Sequence, residues 1–210
     1  MQILYKLTDQ EGFTRKGQSN QTEWKVGSII KATGKRGQGL CSDEYLHAYE
    51  HPLIAQVMNR HHANINNPRM FMVKGEVDKR DGQLKCGCLE LEVIEEVKPI
   101  PQLTLNQKIY FAILCVKTVY SNPAWNLWAD NWLSKKDRTK EAAYVAYAAA
   151  YDAAYAVAYA AAYDAAYDAA YAAYDAAYAA AYDAAAAARA AAASTDLYKL
   201  LDQAVREEKD

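Results

Sequence analysis

After Pro123 the chain contains neither glycine nor proline, and all nine glycines lie between Gly12 and Gly87. The last 87 residues therefore hold nothing that obliges a helix to stop. The net charge is only −2, with 24 Lys and Arg against 26 Asp and Glu. No whole-chain basic field exists to hold nucleic acid by phosphate neutralisation, so no nucleic-acid partner is expected. No run of 18 strongly apolar residues occurs, which argues against a membrane span. The start, MQILYKLTDQ, has no basic segment followed by an apolar one, so no secretory signal is predicted. Four cysteines, Cys41, Cys86, Cys88 and Cys115, make no disulfide framework in 210 residues. The expected setting is the cytoplasm.

Composition divides the chain. Residues 1–140 carry a net +5 and residues 141–210 a net −7. The expected fold class is α+β. A small mixed α/β N-terminal head (1–100) would join connecting helices (103–140) and an all-α, Ala/Tyr-rich C-terminal tail (141–210), formed as one long helix or a helical hairpin.

In the head, Ile3–Thr8 is a short β-favouring run, and Glu23–Lys31 reads as strand, turn at Gly27, strand. Asp43–Arg60 is the first helical candidate. Pro52 interrupts it, so either a short helix ends near His51 and a second begins at Pro52, or the helix starts with Pro52 in its first turn. Met70–Val77 and Cys88–Val97 read as strands, with Asp81-Gly82 as a hairpin signal between them. Alternation in the second places Leu89, Leu91 and Val93 on one face and Glu90 and Glu92 on the other. Val97–Leu103, with Pro99 and Pro101, reads as an extended linker. Leu105–Tyr120 is predicted helical. Asn122-Pro123 opens a further helix carrying Trp125, Trp128 and Trp132, a large apolar anchor whose spacing fits core packing. Ser194-Thr195-Asp196 offers an N-cap for a last helix, Leu197–Arg206.

Residues 141–193 hold 33 alanines and 11 tyrosines: Tyr144, Tyr147, Tyr151, Tyr155, Tyr159, Tyr163, Tyr167, Tyr171, Tyr174, Tyr178 and Tyr182. Alanine predicts helix. The tyrosines recur every three or four residues, 38 residues over ten steps. Against 3.6 residues per turn the stripe drifts by about 20° per step, which favours right-handed winding of partner helices or a folded-back tail. So large an aromatic stripe predicts a homo-oligomer or packing of tail on head. The tyrosines and the three tryptophans are the expected interaction residues.

Chemical motifs in the head are sparse. His47-Ala48-Tyr49-Glu50-His51 matches H-x-x-E-H, which holds zinc when both histidines share a helix face. Pro52 biases His51 away from helix, so a helix terminus with partly exposed histidines is expected instead, and no metal. His61-His62 reads as a loop pair. Cys86-Gly87-Cys88 lacks further ligands and reads as strand. Gly34–Gly39 (GKRGQG) lacks the G-K-[ST] of a phosphate loop. No cofactor is expected.

Leu4–Asp9 (LYKLTD), Thr14–Gln18, Leu46–Ala55 (LHAYEHPLIA), Leu84–Cys88 (LKCGC) and Asn131–Arg138 (NWLSKKDR) together resemble a family of bacterial and phage proteins. In that family a small N-terminal domain of unassigned function precedes alanine-rich helical repeats. The tail resembles chains described as immunity proteins. The resemblance implies a phage or mobile-element setting, with the host cytoplasm as the compartment if the chain is phage-encoded and a host or phage protein as a further class of partner, and it carries over no catalytic residue. A looser likeness is to ADP-ribosyltransferase-like folds, in YKLT, Cys41-Ser42 before a helix, and MFMVKGEV. It would put Lys6 where those enzymes carry His or Arg, and would require one late glutamate among Glu90, Glu92, Glu95 and Glu96. The candidate head site is Lys6, Arg15, Ser42, His47 and His51. The leading expectation is a non-enzymatic binding or interaction protein. A nucleotide-handling transferase and a purely structural oligomerisation protein are the alternatives.

Overall fold

The computed structural model describes residues 1–37, 39–139, 141, 142 and 195–209. The chain divides into two compact units, Met1–Gln102 and Leu103–Asp210.

The first unit is built on an antiparallel sheet. Strand β1 (Gln2–Thr8) pairs with β6 (Arg69–Asp81), and β6 pairs with β7 (Lys85–Glu96). The edges of β7 are shared by β4 (Ile29–Lys31) and β5 (Leu46–Ala48). A separate ribbon joins β2 (Phe13–Thr14) to β3 (Thr22–Glu23). The sheet curls on itself. Tyr49, just past β5, exchanges two backbone hydrogen bonds with Tyr5 of β1, at 2.7 and 2.9 Å. Inside the curl lie Leu4, Trp24, Ala48, Phe71, Val73, Cys86, Cys88, Leu91 and Val93, all essentially removed from water.

Two local expectations are corrected. Asp43–His51 is not helical: Leu46–Ala48 is strand β5, and helix α1 spans Pro52–His62. Proline suits the first turn because it has no N–H to satisfy there. His51 is the extended N-cap, its Nδ1 accepting from Leu53 N at 3.2 Å. His47 therefore sits on a strand, not at a helix terminus, and His62 belongs to α1 rather than to a loop. Leu89, in turn, does not share the buried face of Leu91 and Val93, and is 40 % exposed. Gly75 pairs with Leu91 but Val77 pairs with Cys88, so β7 carries an extra residue. That bulge flips the alternation, burying Cys86 and Cys88 on one side of it and Leu91 and Val93 on the other.

In the second unit, α2 (Leu105–Lys117) starts at a capping box: Thr104 accepts from Gln107 N, and the Gln107 side chain accepts from Thr104 N. Helix α3 (Pro123–Leu133) is capped by Asn122, and α4 (Leu197–Glu207) by Asp196. Trp125, Trp128 and Trp132 are buried in this unit, edge-on or tilted against Tyr120, one another and Tyr110. The absence of glycine and proline does not let α3 run on. Lys135 adopts φ 62°, Lys135 N bonds Trp132 O and Lys136 N bonds Asn131 O, which together close the helix.

The expected fold class is thereby corrected. The described architecture is a mixed α/β structure with a large antiparallel sheet and four helices of 11 to 13 residues. A long all-helical tail is not among the described elements, and the tyrosine stripe Tyr144–Tyr182 lies outside the described residues. No helix among the described residues is long and apolar enough to cross a membrane.

Candidate functional site

A cavity of about 480 Å³ opens in the first unit. Its wall draws on β1 (Lys6, Leu7), the β2–β3 ribbon (Thr14, Arg15, Asn20, Thr22, Trp24), the segment through β5 (Cys41, Tyr45, Leu46, His47, Tyr49), the end of α1 (His62, Ala63, Ile65) and Lys85. The curl of the sheet makes this enclosure, because the Tyr5–Tyr49 bridge brings β5 and α1 over the free edge of β1.

Lys6 is the central group. Its register partner on β6 is Phe71, and its amine donates to the backbone carbonyl of His47 at 2.7 Å. The same nitrogen stands 4.6 Å from the centre of the Trp24 ring. Trp24 is buried and held by its indole N–H, which donates to Thr14 Oγ1 at 3.0 Å. Desolvation, assisted by the charge of Arg15, lowers the amine's pKa from 10.5 to about 7. Among the described residues no ion pair links Lys6 to a carboxylate. Lysines 16, 25, 31, 98 and 117, by contrast, each have an acidic partner within 3.0 Å.

The neighbours of Lys6 are arranged around it. His47 Nε2 hydrogen-bonds the carbonyl of Leu40. Burial pushes its pKa down to about 4, so the ring is neutral at pH 7. Arg15 has φ 54°, a left-handed conformation uncommon for a side-chain-bearing residue. It pairs with Asp43, which lies outside the wall and also accepts from Asn20 Nδ2 at 2.7 Å. Hydrogen bonds from Asn20 and then Arg15 hold the Asp43 carboxyl below its ordinary range. Lys85 Nζ donates to Cys41 Sγ at 3.0 Å. Tyr49 and His62 stack, with 5.9 Å between ring centres and a 3.3 Å contact from Tyr49 Oη to His62 Nδ1.

Of the five expected head-site residues, the structure gathers Lys6, Arg15 and His47. Ser42 instead ties the preceding loop, donating to Gly39 O at 2.7 Å and accepting from Glu44 N at 3.2 Å. His51 caps α1. Sequence reading missed Trp24, Thr14, Asn20, Tyr49, His62, Cys41 and Lys85 as site residues. Thr14, Cys41, Tyr49 and His62 fall within motifs that the sequence singles out, but not as residues of this cavity. None of Glu90, Glu92, Glu95 and Glu96 lines the cavity; Glu90 pairs with Lys31, and Glu96 with Arg69 and Lys98. Among the described residues no three His, Cys, Asp or Glu side chains are grouped to hold a metal ion.

Among the described residues the wall thus carries three basic side chains, Lys6, Arg15 and Lys85, and no carboxylate. Apolar and aromatic groups, including Leu7, Trp24, Leu46 and Ile65, make up much of the remainder. Such a surface can take a small negatively charged molecule with an apolar body. Compared with protein-family models, curated protein sequences and solved structures, the chain matches none.

Proposed function

We propose that residues 1–102 form a non-enzymatic binding module for a small organic anion held in this cavity. One observation carries the reading: Lys6, Arg15 and Lys85 face the same enclosed space, whose wall holds no carboxylate among the described residues, the Arg15 partner Asp43 lying outside it. The volume suits one metabolite-sized molecule. Arg15 keeps 39 % side-chain exposure while Lys6 is desolvated, so the cations grade from wet to dry across the site. Asn20 Oδ1 is enclosed with no hydrogen-bond partner among the described residues, and offers an acceptor to a ligand donor. Binding is favoured over ADP-ribosyl transfer because the wall supplies no glutamate.

Calorimetric titration of the full chain with pyrophosphate and with AMP, beside uncharged adenosine, tests the reading. Both anions should bind, with affinity falling as salt rises, and should protect the exposed Cys41 thiol from alkylation. Lys85→Gln and Arg15→Gln should each weaken binding by roughly tenfold or more, the effect of losing one charged hydrogen-bond partner. Equal binding of adenosine and AMP, or no protection of Cys41 by either anion, would overturn it.

A further inference from the structure

We infer that the Lys6 amine is a nucleophile that captures the carbonyl of an aldehyde- or ketone-bearing anion as an imine, with Arg15 and Lys85 holding the anionic group. This rests on the anion-binding reading and names the class of ligand.

The geometry supports it in three ways. The amine reaches the cavity and is held by one backbone acceptor, His47 O, at 2.7 Å, so it is oriented without being neutralised by an acid. A carboxylate at that distance would keep the group as an ammonium ion, whose nitrogen has no lone pair to donate. The Trp24 ring closes one side, 4.6 Å away, and excludes water there. The other two cations of the wall already have separate attachments, Arg15 to Asp43 and Lys85 to Cys41. Both line the same cavity as Lys6, so the anion can lie against them while Lys6 meets the carbonyl. A pKa near 7 means that about half of the Lys6 side chains carry the free lone pair at neutral pH, whereas an exposed lysine is almost wholly protonated.

The chemistry balances. The nitrogen lone pair forms a bond to the carbonyl carbon as the C=O π pair moves onto oxygen. One proton passes from nitrogen to oxygen, giving a carbinolamine. The C–O bond then breaks, the oxygen leaves as water with the second nitrogen proton, and the C=N bond forms. No oxidant or reductant is consumed, and the product returns to amine and carbonyl on hydrolysis.

Pyridoxal 5′-phosphate, an aldehyde with a phosphate, is a suitable probe. The full chain is incubated with it over a range of pH, reduced with borohydride to fix any imine as a secondary amine, digested and mapped by mass spectrometry. One adduct per chain is expected, on the peptide carrying Lys6, with a rate that is half-maximal near pH 7. The Lys6→Met variant should lose that adduct. Labelling spread over exposed lysines such as Lys25 and Lys31, with no preference for Lys6, would overturn the inference; the wild-type map decides this even if the variant does not fold. Pyridoxine 5′-phosphate, with an alcohol in place of the aldehyde, separates the two proposals. If it binds and protects Cys41 while no Lys6 adduct forms with the aldehyde, the imine inference fails and the anion-binding reading stands. If neither compound binds, both fail.

Discussion

The Lys6 amine donates to the carbonyl of His47 across 41 residues of sequence, at 2.7 Å. The contact joins β1 to β5 on the side of the sheet where the two strands are not paired along their length. It also explains why Lys6 is both fixed and uncompensated: the carbonyl dipole accepts one N–H but supplies no countercharge.

That placement has a stability signature. The folded pKa of Lys6 is about 7 against 10.5 for the free side chain. Between those values the unfolded chain binds the proton and the folded chain does not, so this group makes stability rise as pH increases from about 7 towards 10.5. Below pH 7 the cost of burying the charge is present in full. Lys6→Met should remove this rise and raise the melting temperature at pH 6. Melting curves of both proteins from pH 6 to 10 check it, and parallel profiles would contradict it.

Glu96 acts in the opposite range. Arg69 donates to it through Nε at 2.8 Å and Nη2 at 3.0 Å, and with Lys98 drives its pKa from 4.5 to about 2. Desolvation opposes the shift and is outweighed. This contribution is present above about pH 4.5 and is lost as pH falls towards 2. Glu96→Gln should lower stability at pH 7 and flatten the acid limb of the unfolding profile.

Gly87 leaves room for Leu40 and Tyr45 beside the site. A Cβ there would stand 2.5 Å from Leu40 Cδ1 and 2.8 Å from Tyr45 Cγ. Leu40 O anchors His47, and Tyr45 is part of the cavity wall. Gly87→Ala should cost about 1–3 kcal/mol through overpacking. It should also reduce anion affinity, because Tyr45 lines the cavity and Leu40 holds His47, which also lines it. Denaturant midpoints and titrations on the same preparation measure both effects.

In the second unit, Arg138 lies 3.9 Å from the centre of the Trp132 ring and forks onto Glu208 at 3.1 and 2.5 Å. The carboxylate is only 5 % exposed, and Gln107 donates to the Glu208 carbonyl at 3.2 Å. Among the described residues, Arg138→Leu leaves that buried charge with only the distant Lys135, 3.8 Å away. A loss of about 2–3 kcal/mol is expected, smaller than for a fully buried pair because Arg138 is 24 % exposed. Adding Glu208→Gln to Arg138→Leu should recover part of it, which chemical denaturation of the double variant would show.

Local chemistry written in the sequence decided much of the fold. Pro52 marks the start of α1, Asp81-Gly82 the tip of the β6–β7 hairpin, and Thr104, Asn122 and Asp196 the starts of the other helices. These signals act within four residues and need no partner from elsewhere. Tertiary structure alone decided that Leu46–Ala48 is a strand, because its backbone groups are satisfied by β7 rather than by their own turn. It also decided that Leu89 faces water, through a bulge set by the pairing of β7 with β6. Periodicity cannot register an added residue whose only sign is the partner opposite it. The cavity belongs to the same category. In sequence, Lys6 enters the candidate site only through the likeness of its strand to transferase folds, and nothing along the chain marks its amine as buried. It becomes a desolvated amine because closure of the sheet through Tyr5 and Tyr49 gathers Trp24, His47 and Lys85 around it, and burial depends on that closure rather than on any neighbour along the chain.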